Sequence, residues 1–352
     1  MNAKQAHRLC TARRLISLLL CFSLLPCLTA NMTAAEKASL QTMAGKQSKS
    51  VSRTAPVQKK GEKCLQGDKK NFIRWMSFDI PGSALYKAMN LDIKMHDTDD
   101  SVNWIEILAY LAAKYGGSWR MYRAKDMDAL CETVKSGSSV TELAENLKSY
   151  SYYYDIYDAV LHGFLGVSGT GNEKRYGLVA YSPIARGYGY SHYDDFGDSR
   201  SFGFRRRHQG NDLLGCIGTP IVAVEDGFVE SLGWNRYGGW RIGIRSFDRR
   251  RYYYYAHLRR NHPYVRTLKQ GATVHAGDVI GYLGMTGYSD HENVNNMTKP
   301  HLHFGLQIIF DESQKECNNE LWIDVYNLVN LLSSHQSAVK WDEKAGDYRT
   351  IQ

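Results

Sequence analysis

Side chains able to bind a metal and move protons concentrate in three short stretches of the C-terminal half. His208-Gln209-Gly210-Asn211-Asp212 is an HxxxD, and Pro300-His301-Leu302-His303-Phe304 holds an HxH. Between them, Tyr255-Ala256-His257-Leu258 places one more histidine inside an aromatic run. Two histidines and one carboxylate, with an open fourth position, are the ligand set of a catalytic zinc ion. Two histidines then remain for acid/base work. Alternate residues of a strand share a face, so His301 and His303 point one way, Leu302 and Phe304 the other. One of the pair can ligate a metal while the other reaches a water on it; spacing alone does not say which. His208 and Asp212 stand four apart, but Gly210 between them weakens a helix, and a tight strand-to-loop bend is expected. A zinc ion among such ligands lowers the pKa of its bound water to ~7 and polarises a carbonyl. No HExxH glutamate is present to take the proton, so the spare histidines are the candidates.

Short strands must hold these motifs. Pro220 to Val224, Phe228 to Leu232, Trp240 to Ile244, Tyr252 to His257, Val279 to Leu283 and His301 to Ile309 are β-prone runs bounded by Gly, Pro or Asp. They predict a compact antiparallel β domain. The segments starting at Gly218 and Gly271 read as two copies of one half-motif. Tyr252 to Tyr255 reads as a two-faced strand whose outward tyrosines border the cleft. Upstream, residues 71–176 read as a helical domain of four or five helices. Its clearest members are Asn103–Tyr115, ending at Gly116-Gly117, Met127–Lys135, Val140–Lys148 and Tyr150–Leu165. His162 is expected in its core. Residues 177–204, rich in Gly, Tyr, Asp and Ser, read as a connector passing just before the metal motif. Leu321 to His335 reads as a closing amphipathic helix, followed by a tail over 336–352.

The order of motifs resembles the lysostaphin/LytM-type zinc endopeptidases, which cleave peptide bonds in bacterial peptidoglycan. The resemblance rests on the HxxxD followed by Gly218-Thr219-Pro220, Ala256-His257-Leu258, Gly277-Asp278-Val279-Ile280-Gly281, Thr286-Gly287 and Pro300-His301-Leu302-His303-Phe304. It covers about Arg205 to Ile309. It implies an α+β multidomain chain in which the helical domain precedes an antiparallel β-rich LytM-type (duplicated hybrid motif) catalytic domain over 205–335. It further implies zinc as cofactor, held by His208, Asp212 and His303. His301 then assists deprotonation of the zinc-bound water and His257 stabilises the tetrahedral oxyanion. Loss of a ligand would have marked a non-catalytic regulator; none is lost. Tyr288 to Lys299 is longer than in many relatives and is expected to border the cleft. The Gly271–Gly281 string also resembles biotinyl and lipoyl carrier domains, but no lysine sits on the required hairpin, so carrier function is set aside.

The chain has 352 residues, 43% of them hydrophobic and 23% charged, enough for one or two globular domains. A net charge of +8 favours anionic partners such as wall polymers. No base-reading basic helix or zinc-finger cysteine pattern is present, so no nucleic-acid partner is expected. Residues 1–30 combine Lys4, Arg8, Arg13 and Arg14 with an apolar core from Leu15 to Leu25 and a small-residue exit at Thr29-Ala30. This reads as an export signal, which is expected to place the protein outside the cell or in the wall; uncleaved, it would be a membrane anchor. Residues 31–70 read as a flexible tether. Cleavage leaves Cys64, Cys131, Cys216 and Cys317, with pairing open. His262, His275 and His291 read as surface residues, and the triplets Arg205-Arg206-Arg207 and Arg249-Arg250-Arg251 as solvated turns.

Overall fold

The computed structural model describes residues 72–315 and 319–351. The expected export signal and tether, with Cys64 and Cys317, lie outside the described residues. Helices come first along the described chain: Gly82–Met95, Trp104–Lys114, Ala124–Lys135, Val140–Leu143 and Tyr150–Leu161. Trp104–Lys114 starts where Asn103 caps it, its side chain accepting from Ile105 N at 2.8 Å. It ends at Gly116 and Gly117, both with positive φ. Ser139 and Glu142 form a capping box for the next-to-last helix. That helix stops at Leu143 rather than Lys148: Glu145, Asn146 and Lys148 offer no apolar stripe to bury, and the chain closes in i+3 turns instead. His162 is not in a core. It follows the last helix, 61% exposed, beside Asp158 at 3.1 Å.

Sixteen strands follow. β1 (Leu165–Ser168) and β2 (Arg175–Leu178) form a hairpin, as do β4 (Ser199–Phe202) and β5 (Phe204–Arg207). The main sheet comprises β3 (Ser191–His192), β6 (Asn211–Leu214), β8 (Gly227–Asn235), β9 (Gly239–Ser246), β10 (Arg251–Ala256), β11 (Thr273–Val274), β13 (His301–Ile308) and β14 (Leu321–Ile323). Its order is β11-β8-β9-β10-β13-β6-β3, with β14 on the free half of β13. All of its pairings are antiparallel. β7 (Pro220–Val222) pairs β12 (Val279–Tyr282), and β15 (Val339–Asp342) pairs β16 (Asp347–Thr350). The expected single helix over Leu321–His335 is thus a strand, β14, and a helix, Tyr326–Leu332. Leu321, Trp322 and Ile323 pair with Ile308, Gln307 and Leu306, satisfying backbone groups that β13 would otherwise leave open.

Helices and sheet share one buried apolar cluster, running from Leu108 and Val160 to Tyr253, Tyr255 and Phe304. Polar groups join them as well. Arg251, 3% exposed, donates from Nη1 to Ala159 O at 2.9 Å and from Nε to both Glu225 oxygens at 3.1 and 2.9 Å. The basic triplets are therefore not simply solvated turns: Arg251 is buried in ion pairs, and Arg206 lies on β5 against two tyrosine rings. Among the described residues, no helix is long and apolar enough to cross a membrane.

Candidate metal centre

Strand register brings the motifs together. β13 runs between β6 and β10, placing His303 opposite Asp212 on one side and Ala256 on the other. His257, one residue beyond Ala256, turns out of β10 with φ +60° and donates its N–H to Gly238 O at 2.7 Å. Leu302 and Phe304 are buried on the opposite face of β13, as period-two alternation requires. His208 follows β5 and Asp212 lies in β6, so the HxxxD is a strand-loop-strand bend. Gly210 at its centre has no room for a side chain: a Cβ would lie 2.5 Å from Phe304 O and 2.9 Å from His303 Nε2.

His208, Asp212 and His303 each offer one ligand atom to a common point. His208 Nε2 is 2.7 Å from His303 Nδ1 and 3.1 Å from Asp212 Oδ1, and His303 Nδ1 is 3.4 Å from Asp212 Oδ1. Ligands ~2.0–2.1 Å from a tetrahedral zinc ion stand roughly 3.3 Å apart, so the three fit a single small cation. Asp212 Oδ1 is buried without a hydrogen-bond partner although three imidazole nitrogens surround it. That is the environment of an anionic ligand rather than of a structural carboxylate. Burial opposes the Asp212 charge, but His208 and His303 hold its carboxyl well below the ordinary range. Burial also lowers His303, to about 4, which keeps it neutral as a ligand must be. His208 is driven down by burial but raised more by Asp195 and Asp212, to about 9, so the metal-free site holds a proton there that a bound cation would have to displace.

The remaining histidines flank this triad. His301 Nε2 is 3.7 Å from Asp212 Oδ1, and its Nδ1–H donates to Lys299 O at 2.8 Å. His257 Nδ1–H donates to Thr286 O at 2.7 Å, and its ring lies 4.7 Å from that of His301. Those carbonyl partners assign both protons to Nδ1, leaving Nε2 of each as a bare acceptor. Burial lowers His257 well below its ordinary value, with His301 and His303 adding to the effect. All five expected site residues thus meet. His262 pairs with Asp347 at 2.7 Å, and His275 and His291 are exposed, all outside the cluster.

Two further neighbours come from the 177–204 connector. Asp195 accepts from His208 Nδ1 through its carbonyl at 3.0 Å and from Asp212 N through Oδ1 at 3.1 Å. Arg200 donates to Asp195 and, at 3.2 Å, to Asp212 Oδ2. Together they fix the His208 tautomer and turn Asp212 Oδ1 inward. Neither was visible in the sequence, because the connector has no period and no motif. The triad opens into a groove of ≈ 530 Å³ lined by Tyr252 and Tyr254 of β10, by Arg206 and Arg241, and by Tyr288 and Met297 of the long loop. Tyr288 packs edge-on to His257 at 5.9 Å, so that loop does border the cleft.

Residues 206–318 match Peptidase family M23, and the chain therefore carries an M23 peptidase domain around this triad. An L-Ala–D-Glu endopeptidase of Bacillus subtilis is 42% identical over 117 residues, covering 33% of this chain and 34% of that protein. Lysostaphin of Staphylococcus simulans is 37% identical over 120 residues, covering 34% of this chain and 20% of its own length. The chain thus spans about a third or less of these curated relatives. A LytM crystal structure from Ruminococcus gnavus aligns with a TM-score of 0.51 at 20% identity, covering 76% of this chain and 92% of that one. The likeness establishes the fold: mostly antiparallel sheet with a helical region on the N-terminal side.

Proposed function

We propose that this protein is an exported zinc metalloendopeptidase that hydrolyses peptide bonds in the stem or cross-bridge of bacterial peptidoglycan. The observation that carries the reading is the partnerless, buried Asp212 Oδ1 facing His208 Nε2 and His303 Nδ1, with two more imidazoles beside it. The printed activities of the M23 relatives, an L-Ala–D-Glu endopeptidase and lysostaphin, support the substrate class. A zinc ion held by His208, Asp212 and His303 would supply Lewis-acid polarisation of the scissile carbonyl and activation of a water near neutral pH. His301, with its Nε2 lone pair turned to the triad, accepts the proton of the attacking water and returns it to the leaving amine. His257, held by Thr286 beside His301, is assigned to the oxyanion side of the site; to donate there it must take a second proton from solvent at Nε2, against the burial that lowers its pKa. Asp195 and Arg200 orient the ligands, and the helical region positions the sheet domain on the wall, whose anionic polymers suit the chain's positive charge.

The test incubates the purified chain with isolated peptidoglycan, with and without a zinc chelator, and identifies released fragments by mass spectrometry. A His301→Ala variant runs beside it. New termini that need zinc and vanish in the variant are expected. Zinc-loaded, folded protein that releases nothing would overturn the reading.

A further inference from the structure

The groove beside the triad contains two cations that nothing in the protein uses fully. Arg206 Nη1 and Arg241 Nε are buried and have no hydrogen-bond partner among the described residues. Arg206 lies over the rings of Tyr237 and Tyr288, at 4.7 and 5.0 Å, which fixes its plane without consuming its donors. Arg241 donates from Nη1 to Ser231 at 3.3 Å and sits 6.0 Å from the Tyr254 ring. Burial raises the Tyr254 hydroxyl and both arginines pull it back, so both charges converge on the same side chain. Three acids line the groove with them: Asp212 faces the histidines, Glu320 accepts from Trp322 Nε1 at 2.7 Å, and Glu230 Oε1 accepts from Arg245 Nη1 at 3.5 Å while its buried Oε2 has only Lys315 Nζ, at 4.0 Å. A buried guanidinium donor without an acceptor costs folding energy, and a site that binds an anion recovers it. A planar N–H fork suits a carboxylate.

Tyr254 also packs edge-on to the ligand His303, with ring centroids 5.7 Å apart. The arginines therefore lie two side chains away from the point of cleavage. An extended peptide advances roughly 3.3–3.6 Å per residue, so the span is about three residues. We propose that Arg206 and Arg241 form a carboxylate subsite, making this protein selective for peptides that carry a free carboxylate within about three residues of the scissile bond. Acidic stem peptides meet that requirement and uncharged glycine bridges do not. The inference rests on the peptidase reading above for its scissile bond, but the subsite itself can be measured without cleavage.

The test uses L-Ala-D-Glu-L-Lys-D-Ala as the free acid and as its fully amidated twin, titrated into the full-length protein kept metal-free with chelator. The free acid is expected to bind at least tenfold more tightly, and an Arg206→Gln/Arg241→Gln double variant to reduce that ratio below threefold. Thermal unfolding confirms that the variant is folded; if it is not, the single variants are used and each must lower the ratio. Equal binding of the two peptides, or a preference that survives in the folded variants, overturns the subsite. If the preference holds while zinc-loaded protein releases nothing from peptidoglycan, the peptidase reading falls and the subsite stands.

Discussion

Gly210→Ala separates a metal site built by strand register from one that merely has the correct residues. The added Cβ would meet Phe304 O at 2.5 Å and the His303 ring at 2.9 Å, and both obstacles belong to β13. Phe304 is held in register against Asn211, so the carbonyl cannot retreat without breaking the β6–β13 ladder. The His208–Asp212 bend must therefore lift by roughly 0.5–1 Å to reach an ordinary contact. Metal ligands tolerate only about ±0.2 Å. His208 and Asp212 flank Gly210 at two residues each, so both move away from His303 together. Zinc affinity should fall by at least about 10–100-fold, the range typical of misoriented ligands. The metal-free fold should lose only about 1–3 kcal/mol from overpacking. Chelator competition gives the affinity, and thermal unfolding with chelator gives the stability. Gly137→Ala is the control: it has φ +99° and open space around it, far along the chain from the site. It should cost about 1–2 kcal/mol of backbone strain with unchanged zinc affinity. A Gly210→Ala protein that binds zinc within threefold of wild type would refute the argument.

Asp195→Ala removes the side-chain acceptor of Asp212 N and leaves His208 Nδ1 only a backbone carbonyl, so zinc affinity should drop about 10-fold or more by chelator competition. Glu225→Ala leaves Arg251 and the Tyr253 hydroxyl, both buried, without their main acceptor, and should cost about 3–5 kcal/mol in urea unfolding. Adding Arg251→Met should recover part of that loss; strictly additive effects would show that the two side chains are not energetically coupled. Asp92, 4% exposed, has a carboxyl raised by burial against the donors Trp104 N and Tyr176 Oη. The neutral form is favoured in the fold, so the stability it brings is complete below the unfolded value of about 3.9 and is lost as pH rises through the raised one. Asp92→Asn cannot ionise and should gain on wild type as pH rises above the unfolded carboxyl value, read as urea midpoints. A constant gap would exclude Asp92 as the cause.

The convergence of the candidate site residues was legible in the sequence because it depends on local periodicity. Period two placed His301 and His303 together, and an ordered set of motifs split their roles by resemblance. Gly210 argued correctly against a helix. The same alternation divided Tyr252 to Tyr255 between groove and core: Tyr253 and Tyr255 pack on Phe304, while Tyr252 and Tyr254 line the groove. Long-range contacts decided what was missed. Asp195 and Arg200 act on His208 across a hairpin in a stretch with no period. Arg251 looks like a turn residue until Glu225, Asp248 and Ala159 close around it. His162 looked like a core residue because its segment is apolar, yet it falls just past the helix end, where the chain turns outward. Leu321–Ile323 carries a helical pattern, but the open edge of β13 claims it as a strand.

Reactive and selective parts of the groove come from different kinds of structure. Of the five candidate site residues, Asp212, His301 and His303 sit in the β6–β13 ladder, with His303 also paired to β10, while His208 and His257 directly follow β5 and β10. The rim is assembled from three separate loops or hairpins. Phe202 of β4 stacks on Tyr288 at 5.2 Å and 9°, Tyr237 meets Phe202 edge-on at 6.2 Å, and Arg236 pairs with Asp290 at 3.1 Å. These contacts involve exposed or half-exposed groups whose individual worth is small. The rim can therefore change its residues with little cost to the fold, whereas a change in the sheet shifts the ligands themselves. Arg206 belongs to both parts: its backbone lies in the β4–β5 hairpin leading into His208, while its guanidinium is clamped by the rim tyrosines. A substrate anion held there would be registered directly against the chain segment that carries His208.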